Sequence, residues 1–91
     1  MLSGRIFTVK GKVHGVTFRA STMAEAQKLG LTGWVRNLST GDVEIEVHGT
    51  QDKLNLLASW CQNGPIMARV EKVDIQEIEF KEMVGFRVRY D

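Results

Sequence analysis

Between Gly11 and Arg19 the chain reads Gly-Lys-Val-His-Gly-Val-Thr-Phe-Arg, a glycine-punctuated loop closing on an arginine. These residue types suit a small anion. Gly11 and Gly15 admit backbone angles that other residues reach only with strain, so the N–H groups of Val13, His14, Gly15, Val16, Thr17 and Phe18 can turn inward as a concave nest. A helix beginning near Phe18 adds its unpaired N-terminal donors and the positive end of its dipole. Arg19 then falls in the first helical turn, where a cation opposes the dipole by roughly 0.3–1 kcal/mol unless something negative binds beside it. The ligand expected is one phosphoryl group.

A second group comes from further along the chain. Asn37 is expected at the end of a strand that a hairpin carries to the same edge of the sheet, where its amide can orient a water beside the bound phosphoryl group. The absences narrow the chemistry. There is no candidate triad, no Glu-x-x-His or other metal-ligand spacing, and the loop lacks the Gly-Lys-Ser/Thr ending of a nucleotide-binding P-loop. Hydrolysis of a carboxyl phosphate fits such a site, because the carboxylate departs without a strong general acid and leaves positioning and charge stabilisation as the main tasks.

Ninety-one residues make one domain, 1–91, with a single sheet backed by helices as its core. With 43% hydrophobic and 25% charged residues the composition is that of a soluble globular protein. No secretory signal or membrane-spanning run is present, so a cytoplasmic location is expected. Cys61 is the lone cysteine, and with only His14 and His48 beside it neither a disulfide nor a zinc site is expected. The net charge of +1 hides an asymmetry: Arg5, Lys10, Lys12 and Arg19 precede the first carboxylate, Glu25. That segment attracts anions, although the chain is not basic enough for a long nucleic-acid footprint.

The positioning elements follow from periodicity. Phe7, Val9 and Val13 alternate with Thr8, Lys10 and Lys12, which predicts a strand from about Arg5 to Lys12 after a loose leader at Met1–Gly4. Ala20, Met23, Ala24 and Gln27 recur at helical spacing, and Gly30 stands at the C-cap position. Thr32–Leu38 and Val43–His48 form a hairpin about Ser39-Thr40-Gly41-Asp42. On its second strand Val43, Ile45 and Val47 face the core, while Glu44, Glu46 and His48 face water. Trp34 fits either face. Thr50 caps a second helix whose stripe is Leu54, Leu57, Ala58 and Cys61, making Cys61 a core thiol, and Pro65 lies just beyond it. Val70, Val73 and Ile75 lead into Ile78 and Phe80 with a slip near Gln76 and Glu77 that predicts a bulge or strand end, and Phe86, Val88 and Tyr90 form a short last strand. This order, βαββαβ with a small terminal strand, is that of an α+β ferredoxin-like split βαβ sandwich, an antiparallel sheet with both helices on one face.

Two stretches carry a family resemblance. Val9-x-Gly11-x-Val13-His14-Gly15-Val16-x-Phe18-Arg19 resembles the first signature of the acylphosphatase family, and Gly33-Trp34-Val35-Arg36-Asn37, followed by Gly41, Val43 and Gly49, resembles its second. The resemblance covers essentially the whole chain. It implies hydrolysis of acyl phosphates to a carboxylate and phosphate with no cofactor, phosphoryl binding by Arg19, and orientation of the attacking water by Asn37. The N–H groups from Val13 to Phe18 would complete the phosphate site. His14 departs from the glutamine common in the family, but its backbone N–H serves equally, and Thr17 lies at a variable position. The implied partner is a small acyl phosphate, acted on by a monomer without nucleic acid or membrane.

Plainer readings exist. Arg19 can be a surface helix residue with a snorkelling stem, and Asn37 a turn residue satisfying the hairpin backbone. Val84-Gly85-Phe86-Arg87-Val88-Arg89-Tyr90 faintly resembles the aromatic strand motif of RNA-recognition domains, but that motif belongs on the third strand, Val43–His48, which has no aromatic. Another alternative is an anion- or metabolite-binding module without turnover. A domain of a larger carbamoyl-transfer enzyme also fits the resemblance, although the end at Asp91 favours a free-standing enzyme.

Overall fold

The computed structural model describes all 91 residues. Its elements are β1 (Leu2–Lys12), α1 (Phe18–Lys28), β2 (Thr32–Asn37), β3 (Val43–Thr50), α2 (Gln51–Cys61), β4 (Arg69–Ile78) and β5 (Phe86–Val88). The strands form one sheet in the order β4-β1-β3-β2-β5. β3 lies between β1 and β2, and β1 lies between β3 and β4, so the two βαβ units interleave in the ferredoxin-like manner. The sheet is mixed rather than antiparallel throughout. β5 runs parallel to β2, Gly33 to Val35 facing Phe86 to Val88, because its chain returns from the opposite edge.

Phe7, Val9, Val35, Val43, Ile45 and Val47 are fully buried beneath the helices, and Leu54, Leu57 and Cys61 of α2 complete the packing from above. The α1 contribution differs from the expected stripe. Phe18, Thr22 and Ala26 are buried, whereas Ala20, Ala24 and Gln27 are exposed and Met23 is half-buried. A threonine can occupy the core face because its hydroxyl donates to the Phe18 carbonyl at 2.7 Å, satisfying itself within the helix. Thr50 has the extended backbone of an N-cap, yet its side chain makes no capping hydrogen bond.

Met1–Gly4 is not a loose leader. β1 begins at Leu2, paired with Thr50, and the Met1 carbonyl accepts a hydrogen bond from Gln51 N–H. The bulge also lies elsewhere than expected. Gln76 and Glu77 pair in register with Ile6 and Arg5, while the register shifts where Lys10 faces Lys72 and Gly11 faces Val70, leaving Glu71 as the extra residue. Gly11 has φ 131°, and a Cβ there would stand 2.1 Å from the Arg69 carbonyl oxygen, so glycine is what lets β4 approach at the mouth of the loop.

His48 was expected in water and is instead buried. The segment after β4 folds across the sheet face that the helices leave open. Lys81 N–H donates to His48 Nδ1 at 3.1 Å, and His48 Nε2 lies 2.8 Å from Glu46 Oε2, so a neutral ring protonated on Nε2 satisfies both bonds. Phe80 meets the imidazole edge-on at 5.9 Å, and Glu46 is itself buried beneath this cover. Trp34 lies on the same open face. Its ring carries Arg36 at 5.3 Å and Arg89 at 4.5 Å from its centroid, while Val35 points into the core.

Candidate active site

The loop joining β1 to α1 supplies a run of free donors. None of the backbone N–H groups from Val13 to Phe18 donates to a protein acceptor. Gly15 has φ 69° and Thr17 φ 62°, both left-handed, and Thr17 is a non-glycine residue in that region immediately before the first turn of α1. Backbone of this kind turns successive amides toward one point. The Thr17 hydroxyl does not cap the helix: it donates to the Val16 carbonyl at 2.6 Å. The first turn of α1 carries no acidic residue to answer its dipole.

A pocket of about 250 Å³ opens at this helix end. Gly15, Thr17, Arg19 and Asn37 line its polar side, and Val13 and Phe18 contribute to its wall. The structure therefore brings Arg19 and Asn37 together, as expected from the hairpin. Asn37 reaches the pocket because β2 ends there, paired with Val43, before the turn closed by Leu38 N–H to Asp42 O at 2.8 Å. Its side chain makes no hydrogen bond within the protein, and the Arg19 side chain forms neither an ion pair nor a hydrogen bond. The acceptor and donors of an amide and the five N–H groups of a guanidinium thus face the pocket side uncommitted.

Two of the expected loop residues do not line the pocket with their side chains. Val16 packs against the hydrophobic core. His14 turns to the hairpin, where its Nε2–H donates to the Asp42 carbonyl at 2.8 Å. The imidazole therefore ties the loop to the turn that follows Asn37.

Ala20, Met23, Val88 and Tyr90 also line the pocket, four residues that motif and periodicity did not point to. Ala20 and Met23 lie one helical turn apart on α1, a spacing that had been assigned to the core, and Val88 and Tyr90 follow the alternation of the last strand. Arg19 stands over Tyr90, its guanidinium carbon 4.8 Å from the ring centroid. Cys61 lies in the core away from this pocket, and burial pushes its thiol up to about 12, which leaves it without nucleophilic character.

The chain is a ferredoxin-like sandwich whose β1–α1 loop carries free backbone N–H groups at the start of its first helix, and comparison with known proteins identifies the class of such domains to which it belongs. The model of the acylphosphatase family matches residues 5–88. An acylphosphatase of Geobacter sulfurreducens is 43% identical over 86 residues, spanning 93% of this chain and 94% of that protein. The solved structure of an acylphosphatase from Coxiella burnetii superimposes with a TM-score of 0.93 at 44% identity, covering 97% of this chain and 93% of that one. The crystal structure of acylphosphatase from Bacillus subtilis gives 0.91 at 34% identity, covering 99% and 100%. The chain belongs to the acylphosphatase family.

Proposed function

We propose that this chain hydrolyses the carboxyl–phosphate bond of acyl phosphates, with Arg19 and the N–H groups of Val13, His14, Gly15, Val16, Thr17 and Phe18 holding the phosphoryl oxygens and Asn37 orienting the attacking water. The observation that carries this reading is the meeting, in one pocket, of an unpaired guanidinium, an uncommitted carboxamide and a loop of free amides. The amides and guanidinium are directed at oxygens whose charge is spread as the phosphoryl group transfers, and they need no reorganisation at that moment. Asn37 accepts a hydrogen bond from the water at its amide oxygen and leaves the water lone pair facing phosphorus. As the new P–O bond forms, the bond from phosphorus to the acyl oxygen breaks, and its electron pair leaves on the carboxylate. The water proton passes to a phosphate oxygen or to solvent. A carboxylate is the conjugate base of an acid with pKa about 4, so no side chain need protonate it on departure.

The same reading makes residues 1–91 one domain acting as a cytoplasmic monomer on a small molecule, without a cofactor or nucleic acid. The third strand presents Glu44, Glu46 and His48 to the open face rather than aromatic residues, which weighs against an RNA platform. The test is release of phosphate from benzoyl phosphate or acetyl phosphate by purified protein in excess EDTA. Turnover well above the buffer rate is expected, and a rate equal to buffer would sink the assignment.

A further inference from the structure

Tyr90 is 81% exposed, so burial does not explain where its ring sits. The ring nevertheless lies 4.8 Å from the Arg19 guanidinium, the one interaction of that side chain with an aromatic group. We propose that Tyr90 is a positioning residue that holds the Arg19 guanidinium against its ring and aims it at the bound phosphoryl group, a role that rests on phosphate binding by Arg19.

The choice of an aromatic partner has a physical logic. A carboxylate beside Arg19 would occupy the guanidinium fork and neutralise the charge that an incoming phosphate needs. The face of a ring attracts the same cation through its quadrupole and leaves all five N–H groups free. Arg19 is thereby restrained before ligand arrives, and less side-chain freedom remains to be lost on binding.

The chain around Tyr90 is built to keep it there. Arg89 N–H donates to the Val35 carbonyl at 2.8 Å, extending the pairing of β5 with β2 past Val88. Alternation then sends neighbouring side chains to opposite faces of the sheet: Val88 and Tyr90 reach the pocket, and Arg89 reaches the open face. There the Arg89 guanidinium lies 4.5 Å from the Trp34 centroid and pairs with Asp91, Nε to Oδ1 at 2.9 Å. That pairing raises the Arg89 pKa and lowers that of the Asp91 carboxyl. Two arginine–aromatic contacts on opposite faces, Arg89 on Trp34 and Arg19 on Tyr90, thus bracket adjacent residues of the tail.

Titration of the protein with inorganic phosphate, followed by NMR at the Arg19 side chain, tests this without requiring turnover. Tyr90→Leu, which keeps bulk and removes the ring, is expected to weaken phosphate binding and raise the KM for benzoyl phosphate by about threefold each, the scale of an exposed cation–π contact, with kcat within about twofold. Its Tm should stay at the wild-type value, and Tyr90→Phe should restore wild-type phosphate affinity. The proposal is overturned if Tyr90→Leu binds phosphate as tightly as wild type, if Tyr90→Phe is weakened as much as Tyr90→Leu, or if the wild-type Arg19 signals do not respond to phosphate. Phosphate affinities ordered as expected in a protein that shows no hydrolysis would uphold the positioning role and reject the hydrolytic reading.

Discussion

His14 and Asp42 are joined across two loops of the chain: the imidazole Nε2–H donates to the Asp42 carbonyl at 2.8 Å. This bond links the loop that supplies amide donors to the hairpin turn that follows Asn37. His14→Ala should cost about 1 kcal/mol of stability and raise KM several-fold through a loosened loop. His14→Gln, whose amide N–H can reach the same carbonyl, should recover most of both effects. Urea unfolding and steady-state kinetics on the three proteins check this.

Removal of the guanidinium should act on the transition state. Arg19→Ala is expected to lower kcat/KM by on the order of 10²–10³, the scale for losing a preorganised donor to developing charge. Arg19→Lys should recover little, because a point charge on a flexible stem replaces a planar fork. Rates with benzoyl phosphate decide it, and an Arg19→Ala variant as active as wild type would remove Arg19 from the mechanism.

Asn37→Ala should instead separate binding from turnover. If the amide places water, kcat falls much more than KM rises, and inorganic phosphate still binds. Equal loss of phosphate affinity would make Asn37 part of the anion site rather than the partner of water.

Cys61 gives a pH dependence of definite sign. Burial raises the thiol from 9.0 to about 12. Between those values the unfolded chain has released the proton that the folded chain keeps, so this group lowers stability as pH rises through the window and contributes nothing below it. The urea midpoint of wild type should therefore fall more steeply over that range than that of Cys61→Ala. A disulfide reagent should label Cys61 only after unfolding.

Gly4 should tolerate no side chain. A Cβ there would stand 2.6 Å from His48 Nδ1 and 2.8 Å from the Glu79 carbonyl oxygen. Gly4→Ala should destabilise by about 1–3 kcal/mol through overpacking, while activity per folded molecule is retained because the open face is remote from the pocket. Urea denaturation alongside specific activity reads both.

The order of elements, the glycine loop, Arg19 and the hairpin bearing Asn37 were legible because each depends on local pattern. His48 and Glu46 were not. Alternation separates one sheet face from the other, but it cannot tell that the chain near Phe80 and Lys81 returns to cover the polar side of β3. Thr22 was missed because a hydroxyl that bonds its own helix behaves as a core residue, which a count of apolar positions overlooks. Tyr90 was assigned to its strand but not to the pocket, since its contact with Arg19 spans nearly the whole chain and arises only from the parallel docking of β5 on β2.

The bulge at Glu71 bears on how molecules of this protein meet one another. β4 is the outer strand beyond β1, and a strand so placed offers unpaired amides and carbonyls to any neighbouring chain. Here that border is interrupted at Glu71 and studded with the exposed charges of Arg69, Glu71, Lys72 and Glu77. A second chain seeking to extend the sheet would meet a kinked, charged rim instead of a flat template. The irregularity that lets β4 close on Gly11 also discourages the edge-to-edge stacking from which fibres grow.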